Sequence, residues 1–367
     1  MRFFLSRPTL ATINLSALKS NLTLLTDIAD GSKIVAVVKA NAYGNGAVEV
    51  ALAIEQSVEI LSVAFLSEAQ ELRCAGVKKP ILILQGPHQA TDLHQGKDQN
   101  YIWMLHSEWQ LDAFDSLKTL EGGSDWHEKS WLKFDSGMHR LGLPLAALPV
   151  TLAKYPNIID DNTVLVTHLA NADEPIQGHA QTQIKAFIDC AKNSNIPLCI
   201  ANTASTVRFE QTRADFVRLG IAMYGSTPFQ SKDNPITLAP VMNLESQIIS
   251  LRTIPKGDTV GYGSIFKAAR ESVIATVALG YADGYPRHAP TSTPAWCNGE
   301  LISLVGRVSM DMITFDVTDM SEVAIGDLVQ LWGDKLPINQ VAEHVGTIGY
   351  ELMTRVSSRV PRVFISP

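Results

Sequence analysis

The chain has 367 residues, 46% of them hydrophobic and 18% charged, with a formal net charge of −7. That is length enough for two domains, or one large domain with an appendage, and a composition that supports a large core. The acidic balance gives no electrostatic basis for binding nucleic acid or an anionic membrane, and no stretch is long and apolar enough to cross a bilayer. The opening run, Met-Arg-Phe-Phe-Leu-Ser-Arg-Pro, is too short in apolar residues for a signal segment. Cys74, Cys190, Cys199 and Cys297 are scattered, with no Cys-x-x-Cys and no paired histidine spacing. This pattern predicts reduced core thiols, no metal centre and a cytoplasmic protein.

In chain order, Thr9 to Asn14 reads as a short first strand, with Ser16 the expected cap of a helix running to about Ala29. Apolar strand-like runs then fall at 34–38, 61–65, 80–84, 101–105, 130–134, 163–167, 197–201 and 215–219. Helical segments lie between most of them, including 47–56, 67–74, 107–120 and 179–191. Eight βα units over some 200 residues predict an N-terminal (β/α)8 TIM-type barrel, an α/β fold whose structural rival is a doubly wound open sheet. After Gly225 the texture changes, and the polar run Gln230–Pro235 suits a linker. Strand-like stretches at 243–254, 273–279, 301–308, 312–317 and 327–332, with one helix at 338–345, predict a mainly β C-terminal domain. The expected division is 1–234 for the barrel and 235–367 for the β domain.

Ile34 to Val38 is an unbroken apolar run, as expected of a strand buried on both faces, and Lys39 stands where it ends. A lysine at the mouth of a buried strand is poorly hydrated, so its amine deprotonates more readily and can form a Schiff base. Taken alone, Lys39 reads as an exposed lysine opening a loop. In barrels of this kind, however, active-site groups gather at the C-terminal ends of the strands. Arg140 follows strand five, His168 strand six, and Asn202 and Thr203 strand seven, while Arg218 lies near the end of strand eight before Gly220 and Ile221. Together at one rim they are hard to dismiss as solvated surface residues.

The segments that carry these residues resemble those of bacterial alanine racemases over nearly the whole chain. They include Val-Val-Lys-Ala-Asn-Ala-Tyr-Gly-x-Gly, Trp-Leu-Lys-Phe-Asp-Ser-Gly-Met-His-Arg-Leu-Gly, Thr-His-Leu-Ala-Asn-Ala-Asp and Val-Arg-Leu-Gly-Ile-Ala-Met-Tyr-Gly. In the last third, Gly-Tyr-Gly-Ser-Ile-Phe, Gly-Tyr-Ala-Asp-Gly-Tyr, Gly-Arg-Val-Ser-Met-Asp and Gly-Asp-Leu-Val-Gln-Leu-Trp-Gly resemble the β domain of that family. The resemblance implies an isomerase, biosynthetic or catabolic, that interconverts L- and D-alanine by a two-base mechanism on pyridoxal 5'-phosphate.

It also implies roles. Lys39 would hold the cofactor as an internal aldimine and act as base on one face. Tyr262, from the partner subunit of a homodimer with shared active sites, would be the base on the other, with His168 beside it and Arg218 behind. Arg218 would face the pyridine nitrogen. Asn202 would belong to the cofactor pocket, and Tyr43, Thr203, Gly220 and Ile221 would hold the phosphate. Arg140 would contact the substrate carboxylate. Lys133 occupies the position that relatives often carbamylate. Met310, Asp311 and Tyr281 would line the substrate side and entrance from the partner. Ser358 stands where some relatives have a phosphate-binding tyrosine, with Tyr350 as a possible substitute. The rival functions are a racemase of broader specificity and a non-enzymatic pyridoxal-phosphate carrier. The carrier needs neither Tyr262 nor a β domain, and a decarboxylase would want a carboxylate at 218.

Overall fold

The computed structural model describes residues 7–121, 129–174 and 178–366. Residues 1–6, which bear on the absence of a signal segment, lie outside them. All eight expected barrel strands form: Lys33–Val37, Ile60–Val63, Ile81–Ile83, Tyr101–Leu105, Lys129–Asp135, Val164–Val166, Leu198–Cys199 and Phe216–Leu219. Every neighbouring pair is parallel. Strand eight returns to strand one, pairing Val217 with Ile34 and Arg218 with Val35. The sheet is therefore closed, which removes the open-sheet rival.

Two apolar layers stabilise it. Val35, Ile60, Leu82, Ile102, Met104, Trp131, Val164, Val166 and Cys199 fill the barrel interior. The opposite faces of the same strands bury Ile34, Ala36, Leu61, Ile81, Leu132 and Leu165 against the surrounding helices. Strands buried on both faces need no polar alternation, which is why they read as continuous apolar runs. Trp131 lies against Phe216, ring centroids 5.0 Å apart, deep in the interior. Side chains alternate along a strand, so Lys133 stands on the same inner face two residues above Trp131, and Arg218 two above Phe216.

The last third forms a second closed sheet. Met242–Ile254, Ser272–Val277, Ile313–Asp316, Glu300–Leu304, Pro294–Cys297 and Leu328–Trp332 pair antiparallel in that ring order. The strand Leu10–Asn14 joins this sheet and not the barrel: it runs antiparallel to Met242–Ile254 and parallel to Arg362–Ile365. The helix that follows, Leu15–Ile28, is capped by Asn14, whose side chain accepts the Ala17 N–H at 3.0 Å, in place of the expected Ser16. The helix Ile338–Val345 has the bounds expected from sequence, and a further helix, Gly349–Arg355, returns to cover the barrel mouth.

Candidate active site

A cavity of about 660 Å³ opens at the C-terminal ends of the barrel strands. Lys39, Tyr43, Lys133, Arg140, His168, Asn202, Thr203, Arg218, Gly220 and Ile221 all line it, joined by Tyr350 and Thr354 from Gly349–Arg355. Residues brought from separate strand ends thus meet in one chamber.

Lys39 opens a turn of unusual hand. Ala40, Asn41, Ala42 and Tyr43 have φ of 52°, 54°, 51° and 54°. Left-handed backbone costs an L-residue roughly 1–2 kcal/mol each, so four in succession need outside support. Glu68 supplies some of it: one carboxylate oxygen accepts the Ala40 N–H at 2.7 Å and the other the Ala64 N–H at 2.7 Å. Asn41 accepts the Ala47 N–H at 2.8 Å, and the fully buried Asn45 donates to the Ala42 and Tyr43 carbonyls. Burial lowers the Lys39 ammonium pKa, and Arg140 lowers it further against the opposing pull of Glu68. Sequence reasoning missed Glu68, since an acid in the first turn of a helix looks like ordinary dipole compensation.

Lys133 is buried, and its pKa is brought down to about 8 by desolvation, then by Arg218 and Arg140. Arg218 is also buried. It donates from one terminal nitrogen to Cys199 O and Sγ, both at 3.0 Å, and from the other to Thr167 O at 2.8 Å and His168 Nδ1 at 3.1 Å. Guanidinium has only donors, so His168 Nδ1 must accept and the imidazole proton sits on Nε2. Burial, with Arg218 and Lys133 nearby, holds His168 well below its usual pKa, so the ring is neutral. The four bonds of Arg218 leave its Nε–H available to a group in the cavity.

On the far side, Gly220 donates its N–H to Thr203 Oγ1 at 2.8 Å. A Cβ at 220 would lie 2.8 Å from Tyr43 Oη, so only glycine lets the backbone approach that closely. Burial pushes the Tyr43 phenol up to about 12, which keeps it a hydrogen-bond donor. Asn202 spends its side-chain oxygen on the Ser205 N–H, capping Thr203–Arg208. Arg140 sits at the exposed mouth on a loop that the Asp135 carboxylate gathers, accepting the Gly137, Met138 and His139 N–H groups. Tyr350 stacks obliquely on Tyr43, centroids 5.9 Å apart, whereas Ser358 is exposed and lies outside the cavity lining.

The β-domain residues are elsewhere in the same chain. Tyr262 is 71% exposed and Met310 53%, and neither lines the cavity. They share one surface: the Tyr281 and Ala282 N–H groups donate to Ser309 O and Met310 O, each at 3.0 Å. Gly306, at the start of that same loop, packs against Val260 O beneath the Tyr262 turn.

A closed βα-barrel with a lysine of lowered pKa among two guanidinium groups and a second lysine defines an enzyme that handles an anionic small molecule through an amine. The chain belongs to the alanine racemase family. The family's N-terminal domain matches residues 13–228 and its C-terminal domain residues 241–364. The alanine racemase of Alteromonas mediterranea is 42% identical over 359 residues, covering 98% of this chain and 99% of that one. Among solved structures, the biosynthetic alanine racemase of Pseudomonas aeruginosa has a TM-score of 0.91 at 38% identity, covering 98% and 99%. The alanine racemase of Bartonella henselae, solved with covalently bound pyridoxal phosphate, has a TM-score of 0.88 at 31% identity, again covering 98% and 99%. Both domains are present, so the carrier reading, which lacks the second, is set aside.

Proposed function

We propose that this enzyme interconverts L- and D-alanine in the cytoplasm, as a homodimer, with pyridoxal phosphate held on Lys39. The observation that carries this is the Lys39 amine, its pKa lowered, at the mouth of a cavity with donors for every polar end of that cofactor. The amine suits its aldehyde, the Arg218 Nε–H its ring nitrogen, and the Tyr43 and Thr203 hydroxyls its phosphate, where Gly220 leaves the corner free of a side chain. When bound, the cofactor supplies an electron-withdrawing ring conjugated to the substrate's α-carbon. No helix among the described residues is long and apolar enough to cross a membrane, and the four cysteines are unbridged.

The residues divide the remaining work. Lys39 Nζ takes or returns the α-proton on one face of the substrate. Tyr262 of the partner subunit does so on the other. That assignment accounts for a tyrosine exposed on its own chain. His168 presents Nε2–H to that phenol. Arg218, which has only donors to offer, fixes the His168 tautomer. Arg140 faces the substrate carboxylate.

Burial beside Arg218 and Arg140 disfavours the protonated form of Lys133. Its neutral amine attacks carbon dioxide, forming an N–C bond and releasing one proton, and the resulting carbamate pairs with Arg140. A pKa near 8 makes that neutral amine accessible close to neutrality.

The test is complementation. Lys39→Ala and Tyr262→Phe chains are each expected to lose racemisation by roughly 10²–10⁴-fold or more. Under conditions of demonstrated subunit exchange, mixing them should restore sites that hold both bases. Silence after exchange would sink the shared site. Assaying a panel of L-amino acids with the wild-type enzyme then sets how strictly it selects alanine.

A further inference from the structure

The run Arg359-Val-Pro-Arg362 takes no part in the chemistry above, yet its two arginines reach opposite halves of it. Arg362 donates from Nε to Gly44 O at 3.2 Å, at the end of the left-handed turn that begins at Lys39. Its other donors go to Val356 O, Ser357 O and Val360 O at 2.6, 2.7 and 2.8 Å. A half-buried guanidinium that spends its donors on carbonyls is fixing backbone, since each bond is charge-assisted and directional.

Arg359 reaches the other way. It donates to Asp311 at 2.6 Å, and its Nε lies 3.8 Å from Asp283. Asp283 is 1% exposed and held by Arg7, whose second terminal nitrogen donates at 2.6 Å, and by the Gly280 N–H at 2.9 Å. The same segment carries the Tyr281 turn directly: the Ser357 N–H and hydroxyl donate to Asp283 O and Ala282 O, both at 2.9 Å. Only Val360 and Pro361 lie between the arginines, with Pro361 stiffening the step.

We propose that residues 359–362 form a positioning strut between two half-sites: Arg362 sets the pose of Lys39 within its own cavity, and Arg359 sets the pose of the Tyr281–Met310–Asp311 shelf offered to the partner's cavity. The proposal rests on the shared-site reading above. Neither arginine lines the cavity. Were the run only a stabilising element, each substitution would weaken the dimer without regard to which chain carried it. A strut predicts a direction.

Hybrid dimers read that direction. One chain carries Lys39→Ala, the other Tyr262→Phe, and each chain has its own affinity tag so that only hybrids are purified. Such a hybrid has one competent site, built from Lys39 of the second chain and Tyr262 of the first. Arg359→Ala on the first chain should lower kcat/KM of that site by about tenfold or more, through misplacement of the shelf. On the second chain its effect should be several-fold smaller. Arg362→Ala should show the opposite asymmetry. Arg359→Lys, which keeps the charge but not the fork, should repeat the Arg359→Ala pattern at reduced size, and it serves if the alanine variant does not fold.

Hydrogen exchange of the cofactor-free wild-type and variant homodimers gives a readout independent of turnover. Arg362→Ala should loosen residues 39–47, and Arg359→Ala residues 280–284 and 309–312. An inactive hybrid overturns the shared site itself. An active hybrid in which each arginine costs the same on either chain, or in which the asymmetry is reversed, overturns the strut.

Discussion

Lys133 carries its charge at a cost, and the sign of that cost is measurable. Desolvation, with Arg218 and Arg140 adding to it, brings its pKa from 10.5 to about 8. The folded chain therefore sheds this proton before the unfolded chain does. From about pH 8 up toward 10.5 the unfolded state binds more protons at this site, so the contribution of Lys133 to the unfolding free energy of the cofactor-free protein should rise with pH. Below that window both states are protonated and the contribution is flat. Lys133→Met should abolish the rise and stabilise the protein near neutrality, as read by denaturant titration in carbonate-free buffer. Parallel pH profiles for parent and variant would mean that Lys133 keeps an ordinary pKa. In the amino-acid sequence Arg218 was legible from its place near the end of strand eight, and Lys133 only through the family resemblance. The burial that shifts Lys133 was not, since it depends on eight strands closing on one another.

At the scale of elements, the turn Ala40–Tyr43 sets the aim of Lys39, and Gly44 ends it. Gly44 has φ of 81°, and a Cβ there would lie 2.2 Å from Met353 O in the helix Gly349–Arg355. Gly44→Ala must therefore push the turn away from that helix, and Lys39 with it. We expect a loss of stability of about 1–3 kcal/mol together with a fall in kcat/KM. Gly76→Ala is the control: its φ is 96° with nothing within 4 Å of a new Cβ, so it should lose stability alone. Thermal melts and steady-state assays on the pair decide it; equal losses of activity would mean that the turn does not aim the lysine. The sequence marked Lys39 but not the hand of the turn, because alanine, asparagine and tyrosine all prefer right-handed backbone when unconstrained. Gly349–Arg355 escaped notice for a different reason. Its buried side chains, Leu352 and Met353, are adjacent and give no helical period. The pattern also missed Pro294–Cys297, four residues between turn-forming runs. Periodicity finds helices that bury a face over two turns or more, such as Ile338–Val345, whereas the eight barrel strands stood out as continuous apolar runs.

In the whole molecule, the strand Leu10–Asn14 sits between Met242–Ile254 and Arg362–Ile365, with Ala11 opposite both Leu244 and Arg362. Residues more than two hundred positions apart are direct neighbours there, and the strand buries Ala11 and Ile13 completely. Contacts of such separation form late, since the loop they close is long. Ile13→Ala should therefore accelerate unfolding while leaving the main refolding phase nearly unchanged, the behaviour of a position absent from the transition state. Stopped-flow refolding and unfolding from denaturant measure both arms; a slowed refolding phase would place this strand in the nucleus instead. There is a consequence for synthesis. As the chain leaves the ribosome, residues 33–219 can close the barrel while the β domain is still being translated. Residues 10–14 are made before any of this and have nothing to pair with until residues 242–254 and 362–365 have emerged. For most of translation they are an unpaired β segment, open to pairing with other nascent chains. The first strand to be made is among the last to find its place.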